Sequence, residues 1–414
     1  MSTMISAADR GVIRDLALRY RELCDGERNR AALARWRALN NLKSERPLVF
    51  CNVFHLLPEI DPHLPEPRVA DERLCPVERW FQRALWTAEL DDDRFFDPWF
   101  TVRATMLEQP EGLWGVKPDC VHDDASRGWR NLSVLRRMED LDRLKATPHR
   151  VLDPDPPLAR MAEDIFGDIL PVHRNRVSVY HIWEGVIGPA AGALFGLEEL
   201  MLALYENPDM VHRFMAFARD GIIANYKQCE AAGDWSAADY WYYNTPPHCD
   251  ALPDPRPGVH GARLKELVGF CHSQEFESVS PAMFEEFLLD YQRPILELFG
   301  RVSYGCCDTL DRKLDSLARL PNLTKITAGP LADPARYPEP FGDRAVISWR
   351  PLTTLMVSDQ LDEEALRKLF RDGFDKLKGC QVELHMHDLM TIRGDIPRVF
   401  RWARIAMEEA SRVM

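Results

Sequence analysis

Residues 301–310 read Arg-Val-Ser-Tyr-Gly-Cys-Cys-Asp-Thr-Leu and form the clearest junction between a strand and a reactive loop in the sequence. Five residues that favour strands or are small come first, two adjacent thiols and a carboxylate follow, and a helical pattern begins at Asp311. In parallel α/β proteins the reactive groups lie at the carboxyl ends of strands. The segment therefore predicts a strand that places Cys306, Cys307 and Asp308 at the end of a parallel sheet.

Strand and helix signals alternate on both sides of this segment. Apolar runs bounded by Pro or Gly predict strands, and amphipathic stretches between them predict helices. Eight such units favour an α/β fold of the closed (β/α)8 TIM-barrel type, with an open doubly wound sheet as the alternative. The eight predicted strands are residues 47–54, 177–183, 237–243, 269–276, 301–307, 322–328, 344–349 and 380–387.

Two regions fall outside the alternating pattern. Residues 1–46 are charged and helix-rich, and they predict an N-terminal helical extension that caps the barrel of residues 47–414. Residues 58–170 are irregular and rich in Pro and Asp. A structureless loop of that length is implausible inside a compact domain. We therefore expect a large insertion after the first strand, which lies like a lid over a pocket.

Composition narrows the classes of partner. The chain of 414 residues has a net charge of −13, which disfavours binding to nucleic acid and to anionic membranes. No apolar run approaches the roughly 18 residues that cross a bilayer, and the N-terminus lacks a secretory apolar region. The ten cysteines show no CxxC pair, and Gly-rich nucleotide loops are missing. We expect a cytoplasmic protein with a small-molecule substrate, and a homodimer is one option for its assembly.

The C-terminal predicted strand carries a metal-type pattern. Side chains alternate along a strand, so Glu383, His385 and His387 share one face. Carboxylate and imidazole groups are both zinc donors. The alternative is a strand at the edge or outer face of the sheet whose polar side is hydrated.

For the two adjacent cysteines, strand alternation predicts that the side chains lie on different faces. Cys306 and Cys307 should point to opposite faces, so only one is expected to face the mouth of the barrel. Buried packing is the alternative role for such a pair. Glu275, at another strand end, is either part of the same site or a solvated residue or helix-cap partner.

Aromatic residues near other strand ends predict a substrate pocket. An aromatic or apolar ligand would fit such a lining, and core packing is the alternative. The residues expected to contact the substrate are His181, Trp183, Trp241, Tyr242 and Gln274.

Several segments together resemble a known superfamily. Trp-x3-Asn-x-Leu-Lys-x2-Arg-Pro spans residues 36–47, Gly-Leu-Glu-Glu-Leu-Met opens residues 196–233, and Gln-Glu-Phe at 274–276 precedes Val-Ser-Pro at 279–281. Tyr-Gly-Cys-Cys-Asp-Thr-Leu-Asp at 304–311 and the segment 383–393 extend the match. On these motifs the chain resembles the uroporphyrinogen decarboxylase superfamily, and within it the branch of corrinoid-linked methyltransferases. The resemblance covers most of the chain apart from residues 58–170.

The resemblance implies a TIM barrel with Zn2+ at its C-terminal mouth and a corrinoid, cobalamin, carried by a partner protein. In that branch a His-x-Cys pair and a later ligand commonly hold the zinc. Cys306 matches the cysteine of the pair, and Tyr304 stands where the histidine is expected. Glu275, Cys307, Glu383 or a C-terminal histidine would then complete the ligand set.

The activity implied is demethylation of a small methoxylated or methylated compound. His387 or Asp388 is expected to act as acid or base, with Asp308 and Tyr304 also in the catalytic set. A cofactor-free decarboxylase, with Asp308 or Asp388 holding a proton, is the first alternative. A barrel that binds a ligand without turning it over is the second.

The decarboxylase alternative fits the sequence less well. Those enzymes bind a polyanionic tetrapyrrole through basic residues near the N-terminus. Here no arginine-rich segment follows residues 48–55, and the acidic net charge opposes a substrate with many carboxylates.

Overall fold

A computed structural model describes residues 4–123 and 128–413. Strands and helices alternate in the second half of the chain, and a largely separate set of elements forms the first half. The strands are β1 (Leu48–Cys51), β2 (Phe100–Arg103), β3 (Thr105–Met106), β4 (Cys120–Asp123), β5 (Gly128–Asn131), β6 (Val151–Asp153), β7 (Val172–Asn175), β8 (Val268–Cys271), β9 (Arg301–Tyr304), β10 (Leu323–Ala328), β11 (Val346–Trp349) and β12 (Gln381–Met386).

The helices cover the sheet and build the N-terminal region. Ser280 caps one of them through its Oγ, which accepts from the backbone N of Met283 at 3.2 Å, as the Ser-Pro pair predicts. The α-helices are α1 (Ala7–Asp25), α2 (Glu27–Asn40), α3 (Leu57–Ile60), α4 (Cys75–Thr87), α5 (Pro157–Phe166), α6 (Ile187–Phe195), α7 (Leu197–Glu206), α8 (Pro208–Ala232), α9 (Pro281–Phe284), α10 (Asp290–Leu296), α11 (Leu314–Leu317), α12 (Pro338–Phe341), α13 (Glu363–Lys376) and α14 (Pro397–Ala410).

The centre of the molecule is a six-stranded parallel sheet in the order β1-β12-β11-β10-β9-β8. The prediction of an α/β protein with a parallel sheet is therefore confirmed, and six of the eight predicted strands belong to it. The hydrogen-bonded ladder is not closed among the described residues. The closed eight-stranded barrel stays a prediction.

Two predicted strands, residues 177–183 and 237–243, are turns and irregular segments in the described chain. Local hydrogen bonds explain the difference, because hydroxyl side chains take backbone donors that a ladder would use. The backbone N of Tyr180 donates to Ser178 Oγ at 3.0 Å, and that of Trp241 donates to Thr245 Oγ1 at 2.7 Å. These short contacts hold both segments out of the sheet.

Aromatic side chains fill the space between the two edge strands. Phe50 of β1 contacts Tyr242 with ring centroids 4.6 Å apart. On the other edge, Phe270 of β8 contacts Trp183 at 5.2 Å and Trp241 at 6.1 Å. The edges of the sheet thus approach each other across packed rings instead of paired backbones.

The concave face of the sheet is polar. Lys325 on β10 and Glu383 on β12 form an ion pair at 2.5 Å although β11 lies between their strands, so both side chains point into the same concave interior. Ser303 and His385 lie on strand positions of the same parity and are also buried. The convex face is apolar and packs on helices, as where a Cβ on Gly373 of α13 would meet Trp349 at 1.9 Å.

The N-terminal helices divide between two roles. Helix α1 packs with α4, α5, β2 and β7 in a core of its own, which includes Leu16 and Phe81. Helix α2 lies against the sheet, where Trp36 Nε1 donates to the backbone O of Asp93 at 2.7 Å and its ring lies 5.5 Å from Lys325 Nζ. The helical extension and the insertion thus share a core.

Helix length and composition bear on membrane crossing. Within the described residues no single helix is long and apolar enough to span a bilayer. Helices α6 and α7 reach that length and composition only as a pair, and they are bent by 95° at their junction.

Candidate metal centre and its flanking cavities

A sharp turn ends β9 and sets the site. Gly305 has φ of +99°, a conformation that L side chains rarely adopt, and a Cβ there would lie 2.8 Å from Leu310 Cδ1. Asp308 then fixes the turn, because its Oδ1 accepts from the backbone N of Cys306 at 2.7 Å. Its Oδ2 accepts from the backbone N and Oγ of Ser273, each at 2.8 Å. The carboxylate of Asp308 thus ties this loop to the end of β8.

The turn brings both thiols to the same place. The Sγ atoms of Cys306 and Cys307 lie 3.4 Å apart, and Cys306 Sγ lies 3.7 Å from His387 Nε2. The expectation that only one thiol faces the mouth is wrong, because Gly305 breaks the strand alternation on which it rested. The three ligand atoms lie within 4.8 Å of one another. We call Cys306, Cys307 and His387 the Cys-Cys-His cluster.

Polar neighbours surround this cluster. Asn52, which follows β1, places Nδ2 3.2 Å from His387 Nδ1. Arg350, which follows β11, places Nη1 3.3 Å from the backbone O and 3.6 Å from the Sγ of Cys306. Asp388 accepts from the Cys307 thiol and places Oδ1 3.3 Å from His387 Nε2. A carboxylate, an amide and a guanidinium therefore adjoin the three donors.

Burial and neighbouring charges set the protonation of the cluster. The hydrogen bond with Cys306, burial and the negative Asp388 raise the pKa of the Cys307 thiol. Burial and the positive Arg350 lower the pKa of His387 well below its usual range. The imidazole is therefore neutral, as a metal ligand must be, while the thiol of Cys307 stays protonated unless a cation stabilises its thiolate.

Glu383 lies deeper in the concave interior than the cluster. Its Oε2 pairs with Lys325 Nζ at 2.5 Å, and its Oε1 lies 3.1 Å from His385 Nε2. Burial opposes its ionisation, but Lys325 and His385 outweigh burial and hold the pKa of Glu383 well below its usual range. The shared strand face predicted for Glu383, His385 and His387 is present, and only His387 joins the cysteines.

Glu275 also lies apart from the cluster. Its Oε2 lies 3.9 Å from His272 Nδ1 and is buried, with no hydrogen-bond partner among the described residues. Helix α6 makes room for it, since a Cβ on Gly188 would lie 2.6 Å from Oε2. Burial raises the pKa of Glu275 to about 7. Gln274, beside it, begins a 3-10 turn and is half-buried.

Tyr304 points away from the cluster. It is the last residue of β9 and is fully buried on the convex side, where its hydroxyl donates to Gln292 Oε1 of α10 at 2.7 Å. Gln292 in turn donates from Nε2 to the backbone O of His272 at 2.9 Å. Tyr304 thus joins a helix to the sheet, and the imidazole donor of the cluster is His387, which directly follows β12.

A first cavity of about 510 Å³, which we call the polar cavity, holds three predicted substrate contacts: His181, Trp183 and Trp241. Arg103 also lines it, and its guanidinium donates to neutral oxygens, namely Asn175 Oδ1 and the backbone O of Val177 at 2.6 Å. The Trp183 ring lies 5.3 Å from the ring of His272, at the end of β8. The polar cavity therefore adjoins the β8 side of the mouth.

A second cavity of about 540 Å³, which we call the aromatic cavity, lies on the β1 side. Tyr242, the fourth predicted substrate contact, lines this cavity and not the polar one. Cys51, Val53 and Phe54 also line it. Phe50 lines it as well, and its ring centroid lies 5.4 Å from that of His385, so the aromatic cavity reaches the face of β12 that leads to His387.

Asn52, Arg350 and Asn244 were missed in the sequence. Arg350 Nη2 donates to Asn244 Oδ1 at 2.5 Å, which completes a chain of contacts from Cys306. The sequence does contain a signal that could have identified them. Each is a polar residue at or just after the carboxyl end of an observed or predicted strand. The same rule that selected Cys306 applies to them.

Comparisons with known proteins find similarity among solved structures only. No protein-family model matches the sequence, and a search of curated proteins finds no similar one. Solved structures that resemble the chain include a methyltransferase from Methanosarcina mazei, with 10% sequence identity and a TM-score of 0.44. That alignment covers 92% of this chain and 98% of the other. A likeness at this level does not identify a reaction.

Proposed function

We propose that this chain is a zinc-dependent methyltransferase. It would move a methyl group between a small methoxylated or methylated compound and a corrinoid held by a partner protein. The observation that carries the proposal is the Cys-Cys-His cluster at the carboxyl end of a parallel sheet. Two sulfur donors and one nitrogen suit Zn2+, and three protein ligands with an open fourth position are typical of catalytic zinc. The motif resemblance at residues 304–311 supports methyl transfer and the corrinoid partner.

The neighbours of the cluster have matching roles. When bound, Zn2+ would act as a Lewis acid on the heteroatom that gives up or receives the methyl group. Asp388 already accepts from the Cys307 thiol, so it can take that proton when the thiolate forms. The guanidinium of Arg350 lies 3.6 Å from Cys306 Sγ and offsets negative charge on the two sulfurs. Asn52 orients the imidazole of His387.

The imidazole tautomer decides how well the site fits the metal. Asn52 Oδ1 accepts from the backbone N of Phe54 at 3.0 Å, which directs its Nδ2 donor at His387 Nδ1. Nδ1 is then the acceptor, and the proton sits on Nε2. A metal at Nε2 moves that proton to Nδ1, which needs an acceptor. The donor set fits zinc, and loading requires the Asn52 amide to turn.

We therefore expect Asn52→Asp to raise zinc affinity about tenfold, because one carboxylate oxygen keeps the Phe54 contact and the other accepts from His387 Nδ1. Outer partners of this kind are typically worth roughly 10–100-fold in metal affinity. Competition with a chelating dye measures the change. Asn52→Leu, which offers no acceptor, should bind zinc no better than the native protein. Weaker binding by Asn52→Asp would contradict this tautomer assignment.

Methyl transfer itself is tested with the full chain and free cob(I)alamin as acceptor. Anisole, trimethylamine and methanol serve as donors, and formation of methylcobalamin is followed by its absorbance. We expect transfer from at least one donor by the zinc-loaded protein, and at least a 100-fold loss after chelation, restored by added zinc. Turnover that survives exhaustive chelation, or zinc-loaded protein inert with free cobalamin and every donor, would contradict the proposal.

A further inference from the structure

The wall of the aromatic cavity is built mostly from rings. Helices α1 and α4, the segment after α4 and the end of β1 all contribute to it. Its volume of about 540 Å³ lies within the roughly 300–1,000 Å³ of pockets that hold drug-sized ligands. The rings that define its walls include Tyr20, Trp80, Phe95, Phe96, Trp99 and Tyr243.

The cations that line this cavity are already neutralised. Arg94 makes two hydrogen bonds to Asp92, from Nε at 2.8 Å and from Nη2 at 2.9 Å. Arg83 donates from Nε to Asp61 Oδ1 at 2.9 Å. An anionic ligand would therefore enter without a free cation to pair with, which is costly in a desolvated site. The polar cavity, with Arg103, has the opposite character.

One carboxyl group in the wall is buried and already accepts a hydrogen bond. Asp97 Oδ2 accepts from the hydroxyl of Tyr240 at 2.6 Å. Burial raises the pKa of Asp97 to about 7, so a large fraction of this group is uncharged near neutral pH. The ring faces and the paired arginines together favour an uncharged planar molecule over an anionic one.

Chain connections and one ring contact link the wall of this cavity to the Cys-Cys-His cluster. Asn52 lies between Cys51 and Val53, which line the cavity, and contacts His387. Asn244 directly follows the cavity residue Tyr243 and accepts from Arg350, which contacts Cys306. In space, the cavity residue Phe50 lies 5.4 Å from the ring of His385, which is two residues before His387.

We propose that the aromatic cavity binds an uncharged, planar aromatic molecule next to the metal centre. Its assignment as the methyl-bearing substrate rests on the proposed function, whereas binding in the cavity does not. The substrate class that follows is an aryl methyl ether or a similar neutral methylated arene. A substrate carboxylate would be excluded from this cavity.

Binding is tested on the full chain without metal and again with zinc. Nile red, a neutral planar dye, reports occupancy by its fluorescence, and anisole and 4-methoxybenzoate compete as a matched neutral and anionic pair. We expect anisole to displace the dye at least tenfold more effectively than the anion. Equal or better displacement by 4-methoxybenzoate would overturn the proposal.

Two variants locate the dye. Ala84 of α4 lines the cavity, and Ala84→Phe should fill it and weaken dye binding at least tenfold. Ala88→Phe, one turn later and outside the lining, is the matched control and should bind the dye as the native protein does. Unchanged binding by a folded Ala84→Phe protein would overturn the assignment. Because dye binding is also measured on metal-free protein, failure of the proposed methyl transfer leaves this result interpretable.

Discussion

Cys306→Ser is expected to purify without stoichiometric zinc, whereas the native chain holds one zinc per protein. A serine hydroxyl is a poor zinc ligand, and the change removes one of three donors whose ligand atoms lie within 4.8 Å of one another. Loss of an outer partner alone is worth roughly 10–100-fold in metal affinity. Loss of a direct ligand should exceed 100-fold. Elemental analysis and chelator competition measure both quantities.

The same result is expected for Cys307→Ser and His387→Ala. Cys380→Ser is the matched control, because this half-buried cysteine lies outside the cluster and should leave zinc binding unchanged. Circular dichroism checks that each variant folds. Native protein with reduced thiols that binds no zinc, or a folded Cys306→Ser protein that keeps full affinity, would contradict the metal centre.

The sequence predicts a strand correctly where the strand depends only on the pattern of its own residues. In buried parallel strands such as β10 and β12, polar and apolar residues alternate regularly and turn residues lie at both ends. The pattern of neighbouring residues is therefore enough to predict them. Residues 177–183 and 237–243 are rich in aromatic residues, which also favour strands. Their backbone donors bond to nearby hydroxyls, and such competition depends on loop geometry that periodicity does not contain.

In the candidate site, too, the prediction holds within a regular strand and fails where the chain turns. Alternation correctly placed Glu383 and His385 on one face, because they lie within a regular strand, and His387 directly follows it. It failed for Cys306 and Cys307, because one left-handed glycine changes the direction of the chain before them. It also could not separate His387 from Glu383, since that depends on Lys325 reaching across β11 from a strand that is distant in sequence.

Lys325→Met should destabilise the protein by about 3–5 kcal/mol, the usual effect of leaving one partner of a buried ion pair uncompensated. Glu383 is fully buried, and Lys325 is the cation that holds it ionised. The double variant Lys325→Met, Glu383→Leu should recover most of the lost stability, because no unpaired charge is then buried. Urea unfolding followed by tryptophan fluorescence gives the free energies of unfolding of both variants and of the native chain.

Zinc binding by the same proteins separates two roles of Glu383. If Glu383 serves the fold through Lys325, the double variant loses little stability and keeps its zinc, since the cluster lies nearer the mouth. If Glu383 were a metal ligand, as the sequence alone allowed, Glu383→Leu would lower zinc affinity whatever residue occupies position 325. A double variant that is stable but free of zinc would therefore move Glu383 into the metal site, and one that binds zinc normally assigns it to the interior ion pair.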